Sequence, residues 1–381
     1  MRGRSKRRTV LVAAVLMTGP RVALASDGNL PRTPMLHQGT ACLTVVDRQR
    51  QPVVRLDYTI PFSDTCVGPL EPEGSRTHRY VALCRSPEPW EALPHWLHPD
   101  DVASSLAAGA LLEQEQPSAA DVLSSSSMWG DCHALVGSPD ERNPIHCVHA
   151  REGVQWDTRT LPAGVWILAG YTYHPPMNMW SRRTGVFKIV DGADDPPAVG
   201  MHPLPAHAGD EPPLELRACV DARPGSTLHV AAAATRDADP SWTEIATVSA
   251  ESGKGELVLP LDLGSAFAAP ATLALRVEVR EPGGRSFAYV APEPIVYVGG
   301  PTPEAPPTPD HDYCEEPIAL QPQVCPPGTG PGAGEDPDPE ASCAGCNSGS
   351  PSLHPLAWGV LLVAARRSRR GSRARAHRPR P

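Results

Sequence analysis

The chain has 381 residues, 40% apolar and 20% charged, which is long enough for two domains with ordinary cores and too apolar for wholesale disorder. Its 46 prolines, spread along the chain, exclude a helical bundle, because proline lacks the backbone N–H and clashes with the preceding helical turn. The formal charge of −9 is uneven: residues 1–25 hold six bases and residues 366–381 eight, neither with an acid, so the 43 acids between them face only 20 bases and that middle carries −23, a surface that repels phosphate backbones and excludes nucleic acid as a natural partner.

Residues 1–25 read as a signal peptide. Arg2, Arg4, Lys6, Arg7 and Arg8 form a basic region, and the apolar run Val10–Met17 follows. Gly19 and Pro20 break that run, and Ala23-Leu24-Ala25 is the small-x-small pattern that sets cleavage between Ala25 and Ser26. The run is too short for a bilayer span, which takes about 20 residues. Arg7-Arg8 also admits a twin-arginine variant of the signal. The first partners are therefore the export machinery and signal peptidase, and residues 26–39 are expected to be a disordered N-terminus.

Residues 40–191 are expected to form a β-rich, cysteine-containing domain with a short helical insert. Ala41–Val46, Pro52–Ile60 and Arg79–Cys84 have strand composition. The insert is predicted to be capped by Asp100 or Asp101, to place Val102 and Leu106 on one face, and to stop at Gly109. Gly164–Tyr173 and Gly185–Val190 predict a hairpin whose loop carries Met177, Met179 and Trp180. A hinge, 192–199, leads into residues 200–298.

That second segment predicts an immunoglobulin-like β-sandwich. Seven short runs, Leu214–Val220, Thr227–Ala234, Glu244–Ser249, Glu256–Leu261, Thr272–Arg280, Ser286–Val290 and Ile295–Val298, are separated by turn signals such as Arg223-Pro224-Gly225 and Pro282-Gly283-Gly284. Leu273, Leu275, Val277 and Val279 recur with the period of a half-buried strand. Cys219 is the only cysteine of this segment, so the immunoglobulin disulfide is missing and the likeness is one of architecture.

Residues 299–342 are proline-rich, glycine-rich and acidic, the composition of a disordered stalk. Residues 343–381 then run from Cys343-Ala344-Gly345-Cys346 through a polar spacer and the apolar stretch Leu356–Ala365 to Arg366-Arg367-Ser368-Arg369-Arg370. Arginines beyond an apolar segment stay on the cytoplasmic side. This tripartite end resembles the myxobacterial C-terminal sorting signal, MYXO-CTERM, over about a tenth of the chain. The resemblance implies cleavage near the motif by a dedicated sorting protease, anchoring through Cys343 or Cys346, and retention at the outer cell surface.

Ten cysteines in an exported chain point first to disulfides. Apart from the motif pair, the candidates are Cys42, Cys66, Cys84, Cys132, Cys147, Cys219, Cys314 and Cys325. Cys314 and Cys325 are expected to staple a loop in the stalk. Five cysteines then remain in the first domain and one in the second, which predicts either a bridge between domains or a free thiol.

Cys132, His133, His146, Cys147 and His149 gather zinc-type ligands within a short stretch. In an extended strand Cys147 and His149 would share a face. The competing reading, favoured by an oxidising compartment, is a Cys132–Cys147 disulfide with histidines on its surface. His174, Met177 and Met179 suit copper, or else form a hairpin tip that packs on the sheet. Asp191, Asp194 and Asp195 at the hinge, with Asp237 and Asp239 in a sandwich loop, offer carboxylates to calcium, or else are solvated turns. No Gly-x-Ser-x-Gly elbow or His-Glu-x-x-His motif is present, and Ser124–Ser127 near Asp131 and His133 make no triad by proximity alone. The expectation is an exported, surface-anchored, non-enzymatic protein that binds a surface polysaccharide or protein or builds the envelope. The alternative is an extracytoplasmic metal-binding protein or metal-dependent enzyme with its site in the first domain. A carbohydrate-binding module would instead show exposed coplanar aromatics, with Trp166 and Trp180 as candidates.

Overall fold

The computed structural model describes residues 33–303 except 40, 69–70, 139–140, 193–194 and 238. The signal peptide with Ala25 and Ser26, most of the stalk with Cys314 and Cys325, and the sorting signal with Cys343 and Cys346 lie outside the described residues. The described chain is mainly β, with two α-helices. No helix among the described residues is long and apolar enough to cross a membrane.

The first half comprises β1 (Leu36–His37), β2 (Leu43–Asp47), β3 (Val53–Leu56), β4 (Tyr58–Thr59), β5 (Thr77–Leu83), α1 (Pro99–Ala107), β6 (His133–Leu135), β7 (Asn143–Pro144), α2 (Cys147–Glu152), β8 (Val154–Asp157), β9 (Gly164–Tyr173), β10 (Met179–Arg182) and β11 (Val186–Val190). Seven of the strands make one sheet in the order β2-β11-β9-β5-β6, with β10 also on β9 and β7 also on β5. Only β2 and β11 run parallel in it.

Two helix details depart from expectation. The N-cap of α1 is His98 and Pro99 opens the helix, where its missing N–H costs nothing. Asp100 and Asp101 sit in the first turn, where the helix dipole favours acids, and Asp101 is buried against Arg142. Cys147-Val148-His149, read as extended, is helical in α2. The His146 side chain accepts the Val148 N–H at its start, and Gly153 at φ 66° closes it.

Strand β9 is buried on both faces, and its period of two assigns each residue to a core. Trp166 and Leu168 face a cluster built with Tyr58, Trp156, Phe187 and Ile189. On the other face Ala169, Tyr171 and Tyr173 meet Leu97, Val102 and Trp129 beneath the helical insert. Further along that same face, Val165 and Ile167 join Val186 in the core of the second half.

The second half contains β12 (Ala198–Met201), β13 (His207–Ala208), β14 (Leu214–Asp221), β15 (Ser226–Ala234), β16 (Thr243–Ala250), β17 (Lys254–Leu261), β18 (Ala271–Arg280), β19 (Ser286–Val290) and β20 (Ile295–Tyr297). They form two sheets, β12-β14-β17 and β13-β20-β18-β15-β16 with β19 on β18. Leu214, Leu216, Ala218 and Val220 alternate inward from one sheet to meet Leu228, Val230, Leu275 and Val277 of the other. Burial of each of these leucine and valine side chains contributes about 1.5–3 kcal/mol.

Cys42 is bonded to Cys219, tying the first half to the second, and Cys84 is bonded to Cys132. Cys66 and Cys147 are the remaining bridged cysteines of the described residues. Their neighbours are hydrogen bonded to each other, Asp64 N–H to the Ile145 carbonyl and Cys147 N–H to the Ser63 hydroxyl, so they sit together as the third pair. These bonds are those of a protein folded in an oxidising compartment.

Candidate binding groove

An open cavity of about 790 Å³ runs along the junction of the two halves. Its floor is β10, which pairs with β9 along one edge. The segment around Met35 and Leu36 forms one wall, the loop from Pro87 to Leu93 another, and Pro203 and Pro292 of the second half close the end. Prolines suit such walls because they need no ladder partner for an N–H.

Local contacts position the floor. The Trp180 ring packs on Tyr171 with centroids 4.8 Å apart, and its Nε1 donates to the Pro94 carbonyl at 2.8 Å. The Ser181 hydroxyl accepts the Met35 N–H at 3.2 Å, and the His37 ring is 2.9 Å from the Ser181 carbonyl and 3.1 Å from the Tyr80 hydroxyl. Burial, with a smaller contribution from Arg183, pushes the His37 pKa down to about 4. The ring is therefore neutral and serves as a structural strut at neutral pH.

Charge is distributed unevenly around the cavity. Arg182 donates to the Pro292 carbonyl across the junction, and its burial disfavours the charged form. Glu91 forms a two-pronged pair with Arg85, which outweighs its burial and holds its carboxyl below the usual range. Glu88 accepts from Trp242 Nε1 at 2.8 Å. The Trp242 and Trp90 rings lie 5.6 Å apart at 49°, and Trp90 is 46% exposed. Leu36, in the cavity lining, is 47% exposed. The groove thus offers apolar and aromatic surface flanked by carboxylates, the lining of a binding site for an extended ligand. Its residues come from five separate segments, and the sequence signals only the Met179-Trp180 pair of the hairpin.

Neither the favoured Cys132–Cys147 bridge nor the alternative zinc set is assembled. Cys132 is bonded to Cys84 rather than to Cys147, and Cys147 is itself bridged, so neither offers a thiolate. His133 lies on β6 with Nδ1 3.1 Å from the Trp129 carbonyl. His146 and His149 face each other across one turn of α2, with rings 5.9 Å apart. The copper trio is also dispersed. His174 is buried beside Asp64 and Glu71, whereas Met177 is 58% exposed. At the hinge Asp191 pairs with Arg48 and Asp195 with Lys188, so these carboxylates already have cations; Asp194 lies outside the described residues. Asp237 and Asp239 are exposed. Trp166 is 6% exposed in the core, which removes it as a sugar platform, because its even position on β9 faces inward.

No family model matches the chain, and no curated protein matches it. Solved structures do match. The native conformation of E. coli alpha-2-macroglobulin aligns at 10% identity and TM-score 0.20, over 69% of this chain and 14% of that one. A mutant of Salmonella alpha-2-macroglobulin aligns at 11% identity and TM-score 0.19, over 72% and 15%. CBD12 from CALX1.2 aligns at 9% identity and TM-score 0.16, over 66% and 82%. The chain spans about 15% of the length of the macroglobulins it matches.

Proposed function

We propose that this chain is an exported, surface-anchored, non-enzymatic protein that binds a surface polysaccharide or protein in the junction groove. The observation that carries this reading is that both halves wall one open cavity, with Leu36 exposed in its lining and Trp180 on its floor. Exposed apolar surface of this kind on an otherwise acidic protein is where a partner is accommodated. The disulfides support export, and the Cys343-Ala344-Gly345-Cys346 end supports anchoring by the sorting route.

Two measurements test it. On intact producing cells the protein should be cut by added protease, and Cys343→Ser with Cys346→Ser should release it into the medium. Labelled full-length protein should bind cells that lack their own copy, and Leu36→Asp or Met179→Asp should weaken that binding more than about tenfold with unchanged circular dichroism. Protection from the protease would overturn the surface assignment. Undiminished binding by both groove variants would overturn the site.

A further inference from the structure

The bridge between the halves lies in a set of ligands that the strand register itself builds. In the β14–β17 ladder Cys219 stands directly opposite Glu256, and in the β12–β14 ladder it stands opposite Gly200. His202 follows two residues after Gly200 and its backbone N–H continues the pairing to the Arg217 carbonyl. Residues two apart on a strand share a face, so His202 and Glu256 both flank Cys219. Gly200 leaves the space that Cys42 occupies, since a Cβ there would be 2.0 Å from the Cys42 carbonyl oxygen.

The resulting distances have chemical meaning. His202 Nε2 is 3.8 Å from Cys219 Sγ and 3.7 Å from Glu256 Oε2. The ligand atoms of Cys42, His202 and Cys219 all lie within 4.8 Å of one another. Zinc bonds of about 2.3 Å to sulfur and about 2.0 Å to nitrogen or oxygen put tetrahedral ligands roughly 3.3–3.8 Å apart. The outer contacts are also supplied: Arg217 Nε holds Glu256 Oε1 at 2.6 Å, and the Cys219 N–H donates to Cys42 Sγ at 3.0 Å.

We propose that Cys42, Cys219, His202 and Glu256 form a site for one thiophilic divalent metal ion of the zinc class, occupied when the Cys42–Cys219 bond is reduced. A small dithiol gives up two hydrogen atoms to the two sulfurs and leaves as its own disulfide. The metal then binds both thiolates, displacing two protons. Strand pairing keeps the two Cα atoms, 5.8 Å apart in the bridged form, within reach of one ion. The seam is therefore tied by a sulfur–sulfur bond in an oxidising compartment and by a metal ion while the chain is reduced. This site is separate from the groove and does not rest on the proposed function.

Cobalt(II) is the probe. Full-length protein, reduced with dithiothreitol and desalted without air, should bind cobalt with thiolate charge-transfer and tetrahedral ligand-field bands that require Cys42 and Cys219; the unreduced protein should show neither. Cys42→Ser with Cys219→Ser should abolish those bands. His202→Ala, which leaves the disulfide able to form, should weaken binding more than about tenfold, and Glu256→Gln should weaken it less. Absence of the bands in reduced wild type, their persistence in the double serine variant, or unchanged affinity in His202→Ala would each overturn the proposal. His202→Ala decides alone if the serine variant does not fold.

Discussion

Lys188 Nζ is fully buried on β11 and sits 3.0 Å from Asp221 Oδ1 at the end of β14, joining the two halves. It also donates to the Asp221 carbonyl at 3.2 Å and pairs with Asp195. Burial alone would raise the Asp195 pKa, but Lys188 outweighs it and holds the carboxyl below its ordinary range. A buried charge that loses its partner costs about 3–5 kcal/mol. Lys188→Met leaves Asp221 with the largely exposed Lys254, so it should lower the urea-unfolding free energy at pH 7 by about 3 kcal/mol. Lys188→Met combined with Asp221→Leu should recover most of that loss. A loss below about 1 kcal/mol would mean the pair does not hold the seam.

Gly200→Ala tests the closeness of the same seam. The Cβ would lie 2.0 Å from the Cys42 carbonyl oxygen and 3.4 Å from Val186 Cγ2. The first contact is backbone, anchored by the Val186 N–H at 3.2 Å, so it cannot swing aside. Overpacking of this kind costs about 1–3 kcal/mol. The expected outcome is a thermal midpoint lowered by several degrees. A variant as stable as the parent would show that the halves are not packed this closely.

How much of this was legible depended on how local each cause is. The seven runs in 200–298 were readable because a half-buried strand writes its burial into alternating residues, as Leu214, Leu216 and Ala218 do. Helix α2 escaped because six residues carry too little period to register, although His146 as cap and Gly153 as stop were signals in plain view. Lys188 interrupts the apolar run Val186–Val190 with a charge, and nothing in that run shows that its face is covered by residues of the other half. The pairing of Cys132 with Cys84 follows from β5 lying beside β6, a tertiary fact with no sequence trace. The groove was illegible for the same reason, since Met35, Pro87, Trp180 and Pro292 meet only after folding.

Two buried histidines predict acid sensitivity. His78 is fully buried with Nε2 3.0 Å from the Thr33 carbonyl, and burial pushes its pKa from 6.5 down to about 4, as it does for His37. The unfolded chain therefore takes up protons at pH values where the native state does not. Stability is full above about pH 6.5 and declines as pH falls toward 4, by about 3 kcal/mol for His78 alone. Urea midpoints measured from pH 7 to pH 4 should fall, and His78→Gln should flatten part of that slope. A wild-type midpoint independent of pH in this window would contradict neutral burial of both rings.

Arg76 is the one non-glycine residue with positive φ, 58°, among the described residues. Its buried guanidinium holds Glu71 Oε1 at 2.6 Å and also pairs with Asp64, while His174 Nε2 lies 3.2 Å from Glu71 Oε1. Burial would raise the Glu71 pKa, but hydrogen bonds from His174, Arg76 and the Gly68 N–H outweigh it and lower it to about 2. In wild type this carboxylate contributes stability above about pH 4.5 that is lost as pH falls through about 2. Arg76→Met removes the main cation, so the buried carboxylates favour protonation and the native state binds more protons than the unfolded chain. The variant should lose about 3 kcal/mol or more at pH 7. Its deficit relative to wild type should shrink as pH is lowered toward 4, because neutral carboxyls tolerate burial. A deficit that stays constant with pH would mean Arg76 acts through packing and its backbone conformation rather than through Glu71 and Asp64.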